Sequence, residues 1–302
     1  MLWGIDLGGT KIEGVILSSI NGPEVLSRKR IPTEQEKGYR HILQQIQHLL
    51  DLMSAEVGSK PQKVGIGTPG TLDPDTQKLK NSNTVCLNHQ AIVQDLQSML
   101  NMEVAIANDA NCFALAESRL GVVKKLGVDA DVVFGVIMGT GVGGGLVVHG
   151  NIVQGRHGIA GEWGHNFLDD SGGECYCGQV GCVETVISGP AIEQFYYSTA
   201  GSRKKLPEIV ALHRAGRDRN ASKAVKRLTH YFGKAISIVI DIVDPDIIVI
   251  GGGLGNIDEL YSDGVQSAKC SVFNSHLETV FAKPALGDSA GVFGAAMLVS
   301  EG

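Results

Sequence analysis

The sequence of 302 residues predicts an α/β fold with two domains and largely covered sheets. Short apolar runs alternate along the chain with stretches whose apolar residues recur at helical spacing. The 40 glycines cluster directly behind apolar runs instead of forming a low-complexity linker. A strand–glycine–strand pattern opens each half of the chain, which indicates a weak internal repeat.

The first domain is predicted over residues 1–120, and a final helix within 291–302 is expected to pack back onto it. Its strands and helices are read from runs bounded by Gly, Pro and polar residues. Strands are predicted at Leu2–Leu7, Lys11–Leu17, Val64–Gly67 and Glu103–Ala107, and helices at Tyr39–Ala55, Ala91–Leu100 and Asp109–Arg119.

The second domain is predicted over residues 121–290, with the boundary near Gly121–Asp129. Residues 152–189 are expected to be irregular. Two short basic runs, Arg28–Arg30 and Arg203–Lys205, are expected in solvated loops. Strands are predicted at Val132–Met138, Leu146–Val148 and Asp246–Ile250, with a long helix from Asn220 to about Val243.

The charge balance disfavours a polyanionic partner. Lys plus Arg is 26 and Asp plus Glu is 32, so the net charge is −6 and no concentrated basic face is evident. No secretory signal precedes the first strand, and the apolar runs are too short to span a bilayer. We therefore expect a cytoplasmic protein without a nucleic-acid or membrane partner.

Three glycine loops indicate a nucleotide site. GIDLGGTK (4–11) places Asp6 at a strand end before two glycines, a hydroxyl and an amine, and Asp6 suits Mg²⁺ through its water shell. GTGVGGG (139–145) repeats the design, and GGG at 251–253 follows a buried strand. Each loop alone could be a hairpin or a helix cap, but together they predict contacts to ATP from Asp6, Gly8, Gly9, Thr10, Lys11, Gly139, Thr140, Gly141, Gly251, Gly252 and Gly253.

A cysteine–histidine cluster indicates zinc. His165, Cys175, Cys177 and Cys182 supply one imidazole and three thiolates, which suit a closed tetrahedral site. Because four protein ligands leave no open position, the expected zinc is structural. The alternative is three buried free thiols beside an unrelated histidine, which the tight spacing disfavours.

The string AIANDANC (105–112) supplies a candidate general base. Asn108 and Asp109 lie where a strand passes into a helix, a position that exposes side chains to a cleft. Phosphoryl transfer to an alcohol needs an acceptor for the hydroxyl proton, and Asp109 suits that role. From spacing alone, Asp109 could equally be a helix cap.

These motifs resemble those of a known family. GIDLGGTK, GTGVGGG and IVIGGG follow the order of the phosphate and adenosine motifs in the sugar kinase–actin–Hsp70 superfamily. GEWGH with CYCGQVGCVE resembles the ROK family (repressors, open reading frames and kinases), and the likeness extends over essentially the whole chain. It implies two ribonuclease H-like domains, as in actin-like ATPases, with a cleft between them that closes over ATP.

The resemblance also implies roles for particular residues. The catalytic aspartate of the family falls on Asp109 and its zinc ligands on the four residues above. The sugar ligands it implies are Glu162, His165 and Glu184, with Asn108, Gly70 and Asn83 as further contacts. ATP, Mg²⁺ and structural Zn²⁺ are the expected cofactors, and a homodimer is the expected assembly.

The function predicted from the sequence is ATP-dependent phosphorylation of a hexose hydroxyl, with in-line transfer and Asp109 as the base. Similarity to fructokinase- and mannokinase-type members favours fructose, mannose or glucose as the sugar. The alternatives are an N-acetylhexosamine kinase of the same family and a catalytically silent, sugar-binding ROK regulator. A DNA-binding repressor is disfavoured because the first glycine motif begins at Gly4, which leaves no room for a helix-turn-helix.

Overall fold

The computed structural model describes residues 1–20 and 23–300. Dense contacts group the chain into two compact units: residues 1–128, 145–160 and 285–302 form the first, and residues 129–144 and 161–284 the second. Residues 301 and 302 of the predicted final helix lie outside the described part of the chain. The domain boundary expected at residue 120 stays a prediction.

The first unit contains a mixed five-stranded sheet in the order β3-β2-β1-β4-β7. β1 pairs antiparallel with β2 and parallel with β4, which is also parallel to β7. The helices and strands within residues 1–128 are β1 (Leu2–Leu7), β2 (Lys11–Leu17), β3 (Val25–Pro32), α1 (Tyr39–Val57), β4 (Lys63–Thr68), β5 (Thr71–Leu72), β6 (Leu79–Lys80), α2 (Ile92–Leu100), β7 (Glu103–Asn108), α3 (Asp109–Arg119) and α4 (Val122–Leu126).

The second sheet has the order β10-β9-β8-β11-β12, with β11 parallel to both β8 and β12. The division between the units passes through β9. The remaining elements are β8 (Val132–Met138), β9 (Val142–Val148), β10 (Asn151–Ile152), α5 (Val183–Ile187), α6 (Gly189–Ala200), α7 (Leu206–Arg214), α8 (Arg219–Val243), β11 (Ile247–Gly251), α9 (Asp263–Lys269), β12 (Val280–Ala282) and α10 (Ala290–Met297).

These two sheets confirm the predicted α/β class. Apolar periodicity located the long helices well, because one face of each is buried: in α8 this face includes Leu228, Phe232 and Ile236, all fully buried. The final helix, α10, packs on β1 and α3 of the first unit. Its Gly294 lies so close to the Cys112 carbonyl that no Cβ would fit there.

Two expectations about local structure were wrong. The run Arg28–Arg30 lies in β3 and not in a loop, because Arg28 and Arg30 form ion pairs with Glu13 on the neighbouring strand. Charged residues are common on such edge strands, where they oppose sheet extension. The strand predicted to begin at Leu146 begins at Val142, so the glycines at 143–145 are part of β9.

In the described part of the chain, no helix combines the length and the apolar character needed to cross a membrane.

Candidate active site

Asn108 and Asp109 lie at the carboxyl end of β7, where the chain enters α3. Asn108 is the N-cap of this helix: its Oδ1 accepts a hydrogen bond from the Ala110 N–H at 2.9 Å, and its Nδ2 donates to the Gly70 carbonyl at 3.1 Å. Asp109 is the first helical residue, and its Oδ1 also accepts from Ala110 N. The cap is therefore Asn108, and the interpretation of Asp109 as the cap was wrong.

The environment of Asp109 favours proton transfer. Part of the residue is accessible to solvent. The surrounding protein nevertheless displaces much of the water around the carboxyl group, and this desolvation raises its pKa. Hydrogen bonds from Ala110 and Asn108 oppose the shift without cancelling it. A raised pKa makes Asp109 a stronger base than an ordinary aspartate at neutral pH.

Asp6, at the end of β1, lies near Asp109. Burial raises the pKa of Asp6 to about 6, and the nearby negative charges of Asp109 and Glu13 add to the effect. The positive charges of Lys11 and Arg30 oppose it. Two carboxylates with too little compensating positive charge form a fitting environment for a divalent cation.

The first glycine loop is a tight β1–β2 turn. Gly8 N–H donates to the Lys11 carbonyl at 3.0 Å, and Thr33 Oγ1 donates to the Gly8 carbonyl at 2.6 Å. Thr10 and Lys11 are both exposed, so their side chains are available to a phosphate group.

The second and third glycine loops lie at the same edge of the second sheet. Loop two follows β8 and loop three follows β11, and these strands pair in parallel with Gly251 opposite Ile137. Gly252 has φ 76° and lies against the Met138 backbone, so the turn requires glycine. A Cβ on Gly139 or Gly253 would meet nothing within 4 Å, so the backbone there is open to a ligand.

The predicted metal cluster forms in the second unit. The ligand atoms of His165, Cys175, Cys177 and Cys182 all lie within 4.8 Å of one another. Cys177 Sγ is 3.6 Å from Cys182 Sγ, and Cys175 Sγ is 3.6 Å from His165 Nδ1. Zinc–ligand bonds of about 2.0–2.3 Å in a tetrahedron give edges of about 3.3–3.8 Å, so the cluster fits zinc.

The other predicted sugar residues of the second unit lie around this cluster. The negative charges of Glu184 and Glu162 add to burial in raising the pKa of Tyr176 to about 12, so both carboxylates lie near this tyrosine. His165 directs Nδ1 toward the cluster, while its Nε2 is 3.0 Å from the Tyr176 hydroxyl. One nitrogen can thus serve the metal while the other faces away from it.

Gly70 and Asn83 belong to the first unit. Gly70 has φ 85° and packs against the backbone of Lys80 and Ser82, and its carbonyl holds Asn108. Asn83 is exposed beside Ser82. The structure thus groups Gly70 with Asn108 and Asp109.

Sequence reasoning missed Glu13, Arg30 and Tyr176. Glu13 is 2% exposed on β2. Its carboxylate forms ion pairs with Arg28 Nε at 2.6 Å and with Arg30 Nε at 2.7 Å. The available signal was a lone carboxylate inside the apolar run KIEGVIL. No comparable signal identified Tyr176, since its role depends on the folded position of His165.

The comparisons with known proteins identify the family of this chain. The family model described as "ROK family" matches residues 2–302. The N-acetyl-D-glucosamine kinase of Pasteurella multocida is 34% identical, and that of Yersinia enterocolitica 35%; each alignment covers 99% of both chains. Among solved structures, the ROK hexokinase of Thermus thermophilus superposes with a TM-score of 0.86 at 28% identity, covering 98% of this chain and 97% of that one.

Proposed function

The chain belongs to the ROK family, and from this premise we propose that it transfers the γ-phosphoryl group of ATP to a hydroxyl group of N-acetyl-D-glucosamine. The observation that carries the sugar assignment is the full-length similarity to two N-acetyl-D-glucosamine kinases. It supports the N-acetylhexosamine alternative better than the fructose, mannose or glucose expected from the motifs.

In the proposed reaction, Asp109 accepts the proton of the attacking sugar hydroxyl. Its raised pKa, caused by burial, suits this role. Bound Mg²⁺, held through water by Asp6, would neutralise charge on the ATP phosphates. Backbone N–H groups and Lys11 of the glycine loops position these phosphates.

Within the second unit, the sugar is proposed to bind to Glu162, His165 and Glu184. Carboxylates and an imidazole nitrogen can each hold sugar hydroxyls by hydrogen bonds. Zinc on His165, Cys175, Cys177 and Cys182 would fix the segment of residues 162–184 that carries these groups.

The substrate assignment predicts a clear preference. With N-acetyl-D-glucosamine we expect kcat/KM to exceed that for glucose, mannose and fructose, measured by coupled ADP release at saturating Mg-ATP. A pocket that hydrogen-bonds an acetamide group discriminates strongly against sugars that lack it. A higher kcat/KM for an unmodified hexose would overturn the assignment, and sugar binding without turnover would indicate a regulator.

The zinc assignment predicts that Cys182→Ser loses the metal. Wild-type protein should contain about one zinc per chain by elemental analysis. Loss of a thiolate opens the shell, so zinc affinity should fall by more than the roughly 10–100-fold that loss of an outer-shell partner costs. The KM for the sugar should rise as well, because Glu184 lies two residues after Cys182.

The matched control is Cys270→Ser, which changes an exposed cysteine outside the cluster. It should keep both zinc and the wild-type KM. Wild-type protein that is fully active without metal would contradict the zinc assignment.

A further inference from the structure

Glu184 contacts the second glycine loop directly. Its Oε2 accepts a hydrogen bond from the Val142 N–H at 2.9 Å. A Cβ built on Gly141 would lie only 2.5 Å from the same oxygen. The carboxylate therefore rests on the Gly141–Val142 peptide, within the loop proposed to hold ATP phosphates.

The helix that carries Glu184, α5, lies between the metal cluster and a hydrogen bond to the second glycine loop. α5 begins directly after Cys182 of the metal cluster. Just beyond it, Gly189 N–H donates to the Gly139 carbonyl at 2.9 Å. Cys182, Glu184 and Gly189 thus connect the metal cluster to both ends of the Gly139–Val142 turn.

The segment that carries Glu162 and His165 packs on the same strand start. Trp163 Nε1 donates to the Gly143 carbonyl at 2.9 Å. Gly164 lies so close to the Val142 carbonyl that a Cβ there would overlap it. Two separate segments with proposed sugar ligands are therefore joined to Val142 and Gly143.

We infer that Glu184 is a positioning residue of the phosphate loop as well as a sugar ligand, so that it couples the two substrate sites. Oε2 orients the Gly141–Val142 peptide, while the second carboxylate oxygen is directed to a sugar hydroxyl. This inference rests on the proposed function. Because coupling between two binding sites is reciprocal, a change on either side of the contact should affect both substrates.

The first test changes the carboxylate. Glu184→Gln keeps the size of the side chain but provides one acceptor oxygen in place of two. A hydrogen bond to a charged group is typically worth enough to change affinity about tenfold or more. We expect the KM values for ATP and for N-acetyl-D-glucosamine both to rise by about this factor. An unchanged KM for ATP would overturn the inference.

The second test changes Gly141, the loop residue next to the Glu184 carboxylate. Gly141→Ala places a methyl group against Glu184 Oε2, and the flexible end of the glutamate can move away without unfolding the protein. We expect the KM for the sugar to rise about tenfold, as for the loss of a charged hydrogen bond. Ser275→Ala, at an exposed residue between α9 and β12, is the control; it should leave the sugar KM unchanged.

Equal sugar KM values for the Ser275→Ala and Gly141→Ala variants would overturn the inference. The double variant Glu184→Gln/Gly141→Ala adds a further criterion. Both changes break one contact, so their combined effect on the sugar KM should be clearly smaller than the product of the single effects. Independent, multiplicative effects would also overturn it.

Amide hydrogen exchange separates this inference from the proposed function. A wild-type protein that phosphorylates no sugar would refute the function alone. The Glu184 contact is then judged from residues 139–142, whose amides should exchange faster in Glu184→Ala than in wild type. Equal exchange in the two proteins would overturn the inference, whether or not the enzyme is active.

Discussion

Replacement of Asp109 by asparagine is expected to lower kcat by about 10²–10⁴-fold, the usual contribution of general-base catalysis. Asparagine keeps the shape of the side chain but cannot take the proton of a sugar hydroxyl. The helix should be unaffected, because its cap is Asn108 and an asparagine at 109 can still accept from Ala110 N–H. Sugar and ATP affinities should change far less than kcat.

The pH profile provides a second measure of Asp109. Because burial raises its pKa, the active carboxylate form is lost at a higher pH than for an ordinary aspartate. In wild type, kcat should therefore fall as pH decreases through this raised pKa. The pKa of Asp6 is also raised, in part by the charge of Asp109, so the acidic limb reports apparent values of an interacting pair.

Asp51→Asn, on the exposed face of α1, is the control and should leave kcat and the melting temperature unchanged. An Asp109→Asn enzyme that turns over within about threefold of wild type, far below the effect of a lost base, would remove Asp109 from the mechanism.

The sequence was most informative where local pattern and tertiary role coincide. The strand–glycine–strand units gave β1, β2 and β8 with their observed limits, because each strand is an apolar run bounded by glycine. α3 was found because its helical pattern begins directly behind a strand, although its N-cap is Asn108 and not Asp109. The metal cluster was found because its ligands are close in sequence.

It was least informative where a residue depends on partners distant in sequence. β3 was missed because its charges are explained only by Glu13 on the adjacent strand. The contact between Glu184 and Val142 joins residues 42 positions apart, and no local pattern reveals it. Local motifs do not determine the choice of sugar either, since a few contacts can redirect specificity within one scaffold.

Glu117 illustrates the same limit in the first unit. It is fully buried, and its carboxylate accepts hydrogen bonds from the backbone N–H groups of Val122, Ala285 and Leu286. These bonds join the end of α3 to the segment that leads into α10. In the sequence, Glu117 is one more polar residue on a helix whose other end carries Asp109.

Asp6 is expected to show a conflict between function and stability. Loss of its carboxylate in Asp6→Asn should lower kcat/KM by at least about 10²-fold, since Mg²⁺ supplies several kcal/mol to phosphoryl transfer. The same substitution should stabilise the folded protein at neutral pH. The pKa of Asp6 is raised from 3.8 to about 6, so the charged form is disfavoured in the folded state.

The sign follows from proton binding. Between pH 3.8 and about 6 the folded state holds the Asp6 proton more tightly than the unfolded state, so stability falls as pH rises through this range. Above pH 6 the charged Asp6 carboxylate lowers the free energy of unfolding by at most about 3 kcal/mol. Asparagine carries no charge and therefore removes this free-energy cost. Without Mg²⁺, the variant should unfold at a higher denaturant concentration than wild type at pH 7.5. The difference should shrink toward pH 4.

The control for this prediction is Asp73→Asn, at a carboxylate whose pKa is lowered by hydrogen bonds from Lys80 and Thr76. Its charged form is favoured in the folded state, so this substitution should not stabilise the protein at pH 7.5. Denaturant unfolding of wild type and both variants at pH 7.5 and 4.5, with metal chelated, gives the comparison. A less stable Asp6→Asn protein at pH 7.5 would mean that the charged Asp6 carboxylate stabilises the fold. The interpretation that this charge is disfavoured in the folded state and serves to hold Mg²⁺ would then be wrong.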